Sequence, residues 1–381
     1  MMKGIKEIFV SVTFMVILIF PMVDSVFHFV PEKEIRENRA LKLKPELDWS
    51  DIDNFPEEFD KYYTDNFDFR NQFLLFNSRL KIQLFNVPPV NSKAIIGDDG
   101  WMYLIKNMKD VYLGKNIADT NKLKRYSDIF NYRKKYLDSI GCAYYIVIAP
   151  VKTSVYPEDL PLSQRNLPQT SLTDQLINLL DTIEELNIVD LRPIFRDSKG
   201  DIRMYHKTDT HWNAYGSYVA YKAIMNVISI DFPELIPHSI SKYKIDSIDV
   251  KGMNLTSILG IYHGIFENKI TCEPTFKKKS KEGQKRNYPV YEWFRFKSEY
   301  EQVFTTENDS LLKLMLVRDS FGKAIMPFLS EHFSESVYIF DGWHHDLNED
   351  IVINEKPDIF VQLVLESQIP YLYKSAKNHN Y

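Results

Sequence analysis

The sequence predicts an α/β domain with a mostly parallel sheet that helices cover on both faces. The run at 143–150, AYYIVIAP, is continuously apolar and stops at a proline, which is typical of a strand buried on both faces. Similar apolar runs lie at 311–317 and 357–367, and the segment 171–187 places its apolar residues at helical spacing. Strands that alternate with helices in this way favour a parallel sheet.

Shorter patterns supply the remaining elements of this domain. The segments 188–195 (IVDLRPIF) and 336–343 (SVYIFDGW) are predicted as strands. The segments 213–228 (NAYGSYVAYKAIMNVI) and 323–333 (KAIMPFLSEHF) are predicted as helices. We expect the whole domain to span residues 91–381.

Residues 1–30 are expected to form a signal anchor, a single transmembrane helix. Lys3 and Lys6 precede an apolar run from Ile8 to Val23, slightly shorter than the about 20 residues of a typical span. Lysines before the run predict a cytoplasmic N-terminus and place the rest of the chain outside the cytoplasm, in the periplasm or at the cell surface. No small-residue cleavage site follows, so a retained anchor is favoured over a cleaved signal peptide.

Residues 31–90 are interpreted as a membrane-proximal segment. The part before Asp51 is polar and charged, and the part from 55 to 86 has aromatic and aliphatic residues at helical spacing. Two helices are predicted there, with a break near Asp65 and Asn66.

The composition narrows the possible partners. The net charge of the 381 residues is −5, which gives no sign of a nucleic-acid partner. Aromatic residues make up 14% of the chain, and any that are exposed could stack against sugar rings. The two cysteines, Cys142 and Cys272, are interpreted as unpaired core thiols, because a zinc site would need more ligands at closer spacing.

The stretch TDTHWNAYGS at 208–217 places Asp209 and His211 two residues apart, directly before a predicted helix. Three interpretations compete: a metal site, two members of a nucleophilic triad, or a polar helix cap. A metal would need a further ligand, and the adjacent pair His344 and His345 more often lines a surface loop, so no metal and no cofactor is predicted. In a triad, Asp209 would orient His211 and leave its Nε2 atom free to accept a proton.

The missing nucleophile would be a serine at a strand-to-helix turn, where backbone N–H groups can stabilise an oxyanion. Ser320 follows the apolar run at 311–317 and precedes Gly322, which suits such a turn. Taken alone, Ser320 is equally well explained as a helix N-cap. Together with the Asp-x-His stretch, the nucleophile becomes the better interpretation.

The motifs DTHWNAYGS (209–217) and VRDSFG (317–322) resemble those of the alginate O-acetyltransferase family, the AlgJ/AlgX-like proteins with an SGNH-hydrolase-related domain. Supporting agreement lies in ENRALKLKP, YTDNFDFR, GDDGWMYL, APVKTSVYPEDLP and EKPDIFVQLVLES. The order of acid, base and nucleophile along the chain is the circularly permuted order of that family. One departure is Ser367, where the family pattern leads us to expect an arginine.

This resemblance implies an exported enzyme that moves acetyl groups onto a cell-surface polysaccharide, with Ser320, His211 and Asp209 as the catalytic residues. It also implies a multi-spanning membrane acyltransferase that delivers the acetyl donor. A carbohydrate esterase with the same triad and a non-catalytic glycan-assembly subunit stay open as alternatives. Five residues are given weak substrate-binding roles, with Gly342 as a second oxyanion donor: Trp212, Lys152, Arg318, Trp343 and Gly342.

Overall fold

The computed structural model describes residues 2–27, 29, 41–67, 69–85, 93–105, 111, 114, 117–165, 170–261, 265–290, 292, 294, 296–342 and 345–375. The chain divides into two compact units. The first unit comprises Met1–Ile95 and Lys251–Ile265, and the second comprises Ile96–Val250 and Phe266–Tyr381. The domain boundaries predicted at residues 30 and 90 stay predictions.

The first unit is helical. Its long helices are α1 (Met2–Phe27), α2 (Phe55–Asn66) and α3 (Arg70–Phe85), and a short helix follows at Asn254–Leu259. Helix α2 ends where Phe67 adopts an extended conformation, which separates it from α3 close to the predicted break. In the described part of the chain, no helix reaches the length and hydropathy needed to cross a bilayer. The anchor at residues 1–30 therefore stays a prediction.

The second unit is built on a seven-stranded sheet with the order β4-β3-β11-β9-β10-β8-β7. Strands β4, β3, β11, β9 and β10 run parallel to one another, whereas β8 and β7 are antiparallel additions at one edge. The predicted α/β fold with a mostly parallel sheet is therefore confirmed. The strands of the chain are β1 (Ala94–Ile96), β2 (Met102–Leu104), β3 (Ala143–Ala149), β4 (Asn187–Asp190), β5 (Tyr243–Lys251), β6 (Phe266–Pro274), β7 (Lys281–Glu282), β8 (Glu301–Thr305), β9 (Lys313–Arg318), β10 (Glu335–Phe340) and β11 (Ile359–Leu365).

Helices pack on both faces of this sheet. Alternate residues of β3, such as Tyr144 and Ile146, join an apolar cluster with residues of the helices Thr120–Ser139 and Leu172–Leu180. Tyr145 points to the opposite face, where its hydroxyl donates to Asp231 of α8 at 2.5 Å. The helices of this unit are α4 (Thr120–Ser139), α5 (Lys152–Val155), α6 (Leu172–Leu180), α7 (Leu191–Asp197), α8 (Ala214–Asp231), α9 (Met326–Leu329), α10 (Glu349–Glu355) and α11 (Ile369–Ser375).

Two predicted elements differ in the structure. Segment 323–333 is not one helix: a 3-10 turn at Phe321–Ala324 precedes α9, and a second turn follows it. Pro327 lies in the first turn of α9, and because proline has no N–H it cannot continue a helix from the preceding turn. In segment 188–195 the strand ends at Asp190, whose carboxylate accepts from Arg192 N and starts helix α7 there.

The carboxyl ends of the central strands meet at one edge of the sheet. The Asp319 carboxylate, directly after β9, accepts a hydrogen bond of 2.7 Å from the N–H of Leu365 at the end of β11. On the other side of β9, Asp341 N donates to Arg318 O at 2.9 Å. In open α/β sheets this edge is where ligands bind, and it carries the residues considered next.

Candidate active site

The loop that carries Asp209 and His211 is closed at its base by Asn213. The Asn213 side chain accepts from Gly216 N at 3.0 Å, which caps helix α8, and donates to Arg203 O at 2.6 Å. Its backbone N–H donates to Met204 O at 2.8 Å. A Cβ on Gly216 would lie 2.2 Å from Met204 O, so only glycine permits this close approach of helix and loop.

Within the loop, one carboxylate oxygen of Asp209 orients His211. It accepts from the backbone N–H of His211 at 2.9 Å and lies 2.6 Å from the ring atom Nδ1. Burial would raise the pKa of the Asp209 carboxyl, but the hydrogen bonds and charge of His211 outweigh burial and hold that pKa below its usual range. Asp209 is therefore a carboxylate, and it selects the ring tautomer with its proton on Nδ1.

The other ring nitrogen reaches the serine that the sequence singled out. His211 Nε2 lies 2.9 Å from Ser320 Oγ, although the two residues are 109 positions apart. The imidazole packs against the ring of Phe321, with 4.8 Å between the ring centroids. Ser320 is exposed, whereas its neighbours Asp319 and Phe321 are buried, so the hydroxyl is open to an incoming molecule.

The turn around Ser320 is fixed by the carboxylate before it. Asp319 accepts from Phe321 N at 2.8 Å and from Leu365 N at 2.7 Å. Burial raises the pKa of Asp319, and the two backbone donors act against that shift. A Cβ on Gly322 would lie 2.5 Å from Arg318 Cβ, so a side chain at this position would push the turn away from strand β9.

The oxyanion donors differ from the prediction in one respect. The predicted donors to the oxyanion were backbone N–H groups at Ser320 and at the start of a helix. In the structure the N–H of Phe321 already donates to Asp319. The helical turn that follows Ser320 has four residues. Gly342 lies beside the turn, where a Cβ would come within 3.1 Å of Asp319 Cβ. The N–H groups of Ser320 and Gly342 are thus the remaining predicted donors, and their role stays a prediction.

Two residues with predicted sugar or donor contacts have buried side chains in the structure, and their substrate-binding roles stay predictions. Trp212 is 1% exposed, and its indole packs against the rings of Phe195 and Phe321. Arg318 is 0% exposed, donates to Gln302 Oε1 at 2.9 Å, and lies over the ring of Phe340. Both side chains pack against aromatic rings next to the site.

Lys152 and Trp343 complete the predicted binding residues. Lys152 is 3% exposed and donates to the carbonyl oxygens of Met102 and Lys207, and its substrate-binding role stays a prediction. Trp343 lies outside the described residues, as does His344. Among the residues that are described, no group of three or more His, Cys, Asp or Glu side chains could hold a metal ion.

Glu267 supports the loop and was missed by the sequence analysis. Its buried carboxylate accepts from Lys207 N and Thr208 N, at 2.8 Å each, and from Arg203 at 3.1 Å. Burial alone would raise the pKa of Glu267, but hydrogen bonds from His206 and Thr208 lower it to about 2. No local pattern reveals this role, because Glu267 lies on strand β6, far from the loop in sequence.

A second buried carboxylate, Glu366, follows strand β11. It accepts from Ser154 Oγ at 2.7 Å and from Val151 N at 3.2 Å, and it lies 3.7 Å from Arg192 of helix α7. The resemblance led us to expect an arginine after this glutamate, where Ser367 stands. In this chain Arg192 brings a guanidinium to the same carboxylate from another element.

Part of the chain is similar to a known acetyltransferase domain. Residues 94–252 match the model of the SGNH hydrolase-like domain of the acetyltransferase AlgX. The resemblance to the alginate O-acetyltransferase family is confirmed. The matched segment contains Asp209 and His211 and ends before Ser320. The link between Ser320 and this segment is the 2.9 Å distance between Ser320 Oγ and His211 Nε2. No curated protein sequence matches the chain.

Several solved structures share the fold. PatB1 from Bacillus cereus is 18% identical over 72% of this chain and 96% of that protein, with a TM-score of 0.52. PatB1 with a sulfonyl adduct is 18% identical over 71% and 96%, with a TM-score of 0.50. A DHHW family protein from Eubacterium siraeum is 16% identical over 75% and 95%, with a TM-score of 0.52. At these identities the likeness concerns the fold.

Proposed function

We propose that this protein is an O-acetyltransferase that moves acetyl groups onto hydroxyls of an exported cell-surface polysaccharide through an acetyl-Ser320 intermediate. The observation that carries the proposal is the hydrogen-bonded series from Asp209 to His211, at 2.6 Å, and from His211 to the exposed Ser320, at 2.9 Å. The match of residues 94–252 to an acetyltransferase domain supports an acyltransferase.

In the first half of the reaction, Ser320 is acetylated. His211 Nε2 takes the proton from Ser320 Oγ while that oxygen attacks the carbonyl carbon of the acetyl donor. Asp209 retains the Nδ1–H bond and stabilises the imidazolium that forms. The tetrahedral intermediate then expels the alcohol or thiol of the donor, which leaves with the proton from His211.

In the second half, a sugar hydroxyl replaces the donor. Its proton passes to His211, its oxygen attacks the acetyl carbon, and Ser320 leaves as it regains a proton from the imidazolium. If water attacks instead, the products are acetate and free enzyme, which is the esterase alternative. The esterase alternative stays open because Ser320 is exposed and water can reach it.

The partners in this proposal follow from the predicted location. The acceptor is the polysaccharide, and the acetyl donor is delivered by a multi-spanning membrane acyltransferase. The chain is held at the membrane by residues 1–30, with the second unit outside the cytoplasm. No cofactor enters any step, because the proposed chemistry is carried by the three side chains.

Sulfonyl labelling tests the nucleophile. The PatB1 structure with a sulfonyl adduct suggests phenylmethylsulfonyl fluoride as a probe, read as a single mass increase on the intact protein. We expect one adduct on the wild-type protein, none on Ser320→Ala, and one on the control Ser310→Ala, since Ser310 is an exposed loop serine. Labelling of Ser320→Ala at the wild-type rate would refute the assignment.

Product analysis separates the two activities. The protein is incubated with a chromogenic acetyl ester and an oligosaccharide, and both the acetylated sugar and free acetate are measured. Acetyl transfer that depends on Ser320 supports the transferase. Release of acetate alone, at any sugar concentration, would favour the esterase.

A further inference from the structure

The Lys152 side chain is buried next to the loop that carries Asp209 and His211. It begins helix α5 at the carboxyl end of β3 and is 3% exposed. Its Nζ atom donates to Met102 O at 2.9 Å and to Lys207 O at 3.3 Å. A buried lysine is rare, because removing its charge from water is costly unless partners compensate.

Hydrogen bonds hold the backbone of Lys207 at both its carbonyl oxygen and its N–H group. Its carbonyl oxygen accepts from Lys152 Nζ and, at 2.9 Å, from Met102 N. Its N–H donates to Glu267 at 2.8 Å, and Glu267 also accepts from Thr208 N. Because Lys207 lies only two residues before Asp209, the position of this peptide determines where the carboxylate meets His211.

The charges that face Lys152 come from several elements. Asp209 and Glu267 favour its charged form, and Arg203 opposes it. The rings of Trp101 and Tyr103 lie 5.6 Å from Nζ and also favour the cation. Burial outweighs these attractions and lowers the pKa of Lys152 to about 7. This shift brings the loss of the Lys152 charge closer to neutral pH.

We propose that Lys152 is a positioning residue that holds the Asp209–His211 loop in its reactive geometry through its ammonium form, so that loss of this proton switches the reaction off. The inference rests on the proposed acyl-enzyme function. A neutral amine donates weaker hydrogen bonds to the two carbonyl oxygens and removes the positive charge that faces Asp209. Small displacements of a catalytic group can cost large factors in rate, which makes the loop an effective point of control.

Rate measurements across pH test this role. The variants are Lys152→Met, which keeps the length and removes the charge, and Lys152→Arg, which stays charged at every accessible pH. The matched control is Lys222→Met, at an exposed position of helix α8. The readout is kcat/KM for a chromogenic acetyl ester between pH 5.5 and pH 9.5.

The ratio of wild-type to Lys152→Met activity distinguishes positioning from simple packing. We expect the ratio to be about 10-fold or more below pH 7 and to fall toward one as pH rises, because the wild type then loses the same charge. Lys152→Arg should keep its activity to higher pH, and Lys222→Met should follow the wild type. A ratio that stays constant across the range, or Lys152→Met activity equal to that of the wild type, would overturn the inference.

A stability measurement tests the buried charge without any activity. The folded-state pKa of Lys152 lies below its unfolded value of 10.5, so the folded protein binds fewer protons than the unfolded chain between about pH 7 and 10.5. The Tm of the wild type should therefore rise relative to that of Lys152→Met as pH increases through this window. Parallel Tm curves for the two proteins would show that Lys152 does not titrate there.

The two proposals fail in different ways. A wild-type protein with no turnover dependent on Ser320 contradicts the proposed function, and the Tm curves still decide whether Lys152 carries a titrating buried charge. A wild-type protein with such turnover and a constant activity ratio contradicts only the role of Lys152.

Discussion

At the scale of single residues, the orientation of His211 depends on one oxygen atom. The same oxygen of Asp209 meets both the backbone N–H and the ring Nδ1 of His211. A flip of the ring would break its hydrogen bond to Asp209 and also its contact with Ser320 Oγ. This arrangement leaves the Nε2 atom directed at Ser320, so that the base of the proposed mechanism would be preorganised before substrate binds.

Replacing Asp209 with Asn should separate orientation from charge. The Asn carbonyl can still accept both hydrogen bonds, but it cannot stabilise the imidazolium. We expect kcat to fall by roughly 10²- to 10⁴-fold with little change in KM, since Asp209 is buried and does not meet the substrate. Steady-state kinetics on the acetyl ester give both constants. Asp249→Asn, at an exposed position of β5, is the control, and equal activity of the two variants would refute the role.

The sequence revealed the residues of the site that carry a local pattern, including Ser320 at its strand-to-helix turn. Asp209 and His211 are two positions apart, so their pairing could be predicted from one short stretch. Lys152 and Glu267 act on Lys207 from 55 and 60 positions away, and neither has a local pattern that shows its partner. For the same reason the burial of Trp212 and Arg318 became visible only in the fold.

At the scale of elements, the turn between β9 and α9 presents Ser320. Asp319 and Gly322 give this turn its shape, the first by accepting two backbone hydrogen bonds and the second by allowing contact with Arg318. The serine is thus held by the strand before it and by the neighbouring strand β11, and not by a long helix behind it.

Replacing Gly322 with Ala should disturb this turn selectively. The added methyl group would overlap Arg318 Cβ, and overpacking of this kind costs about 1–3 kcal/mol. We expect a lower free energy of unfolding and slower sulfonyl labelling of Ser320. Gly200→Ala is the matched control, because an added Cβ there meets no atom within 4 Å. If both variants were labelled at the wild-type rate, the tight turn would not matter for reactivity.

The apolar strands could be predicted, but the mixed-polarity ones could not. Strands β3, β9 and β11 are buried on both faces and read as continuous apolar runs. Strand β5 exposes most of its side chains and contains Asp, Ser and Lys, so its sequence gives no strand signal. Its pairing with β6 brings Glu267 to the loop, and this support was therefore missed together with the strand.

At the scale of the whole molecule, the sheet joins parts of the chain that are far apart in sequence. Strand β11 lies between β3 and β9, although it follows all the other described strands in sequence. A sequence pattern can predict that β11 is a strand, but the partners of a strand depend on contacts over the entire chain. The central position of β11 could not have been read from its residues.

The predicted anchor is a separate question at this scale. Helix α1 carries exposed apolar side chains, including Phe9 and Phe14. We expect the full-length protein to remain with membranes after carbonate extraction and a variant lacking residues 2–30 to be released, because the deletion removes the apolar run. A full-length protein found entirely in the soluble fraction would contradict the prediction.

The hydrogen bond from Leu365 to Asp319 has a consequence for biogenesis. Because a chain is synthesised from its amino end, Asp209 and His211 are made before Ser320, and Leu365, whose amide fixes the Ser320 turn, is made after it. In the proposed mechanism, a partly synthesised chain thus has its base, His211, before the turn that presents Ser320 is complete. Reactivity of Ser320 would then appear only once strand β11 has entered the sheet beside β9.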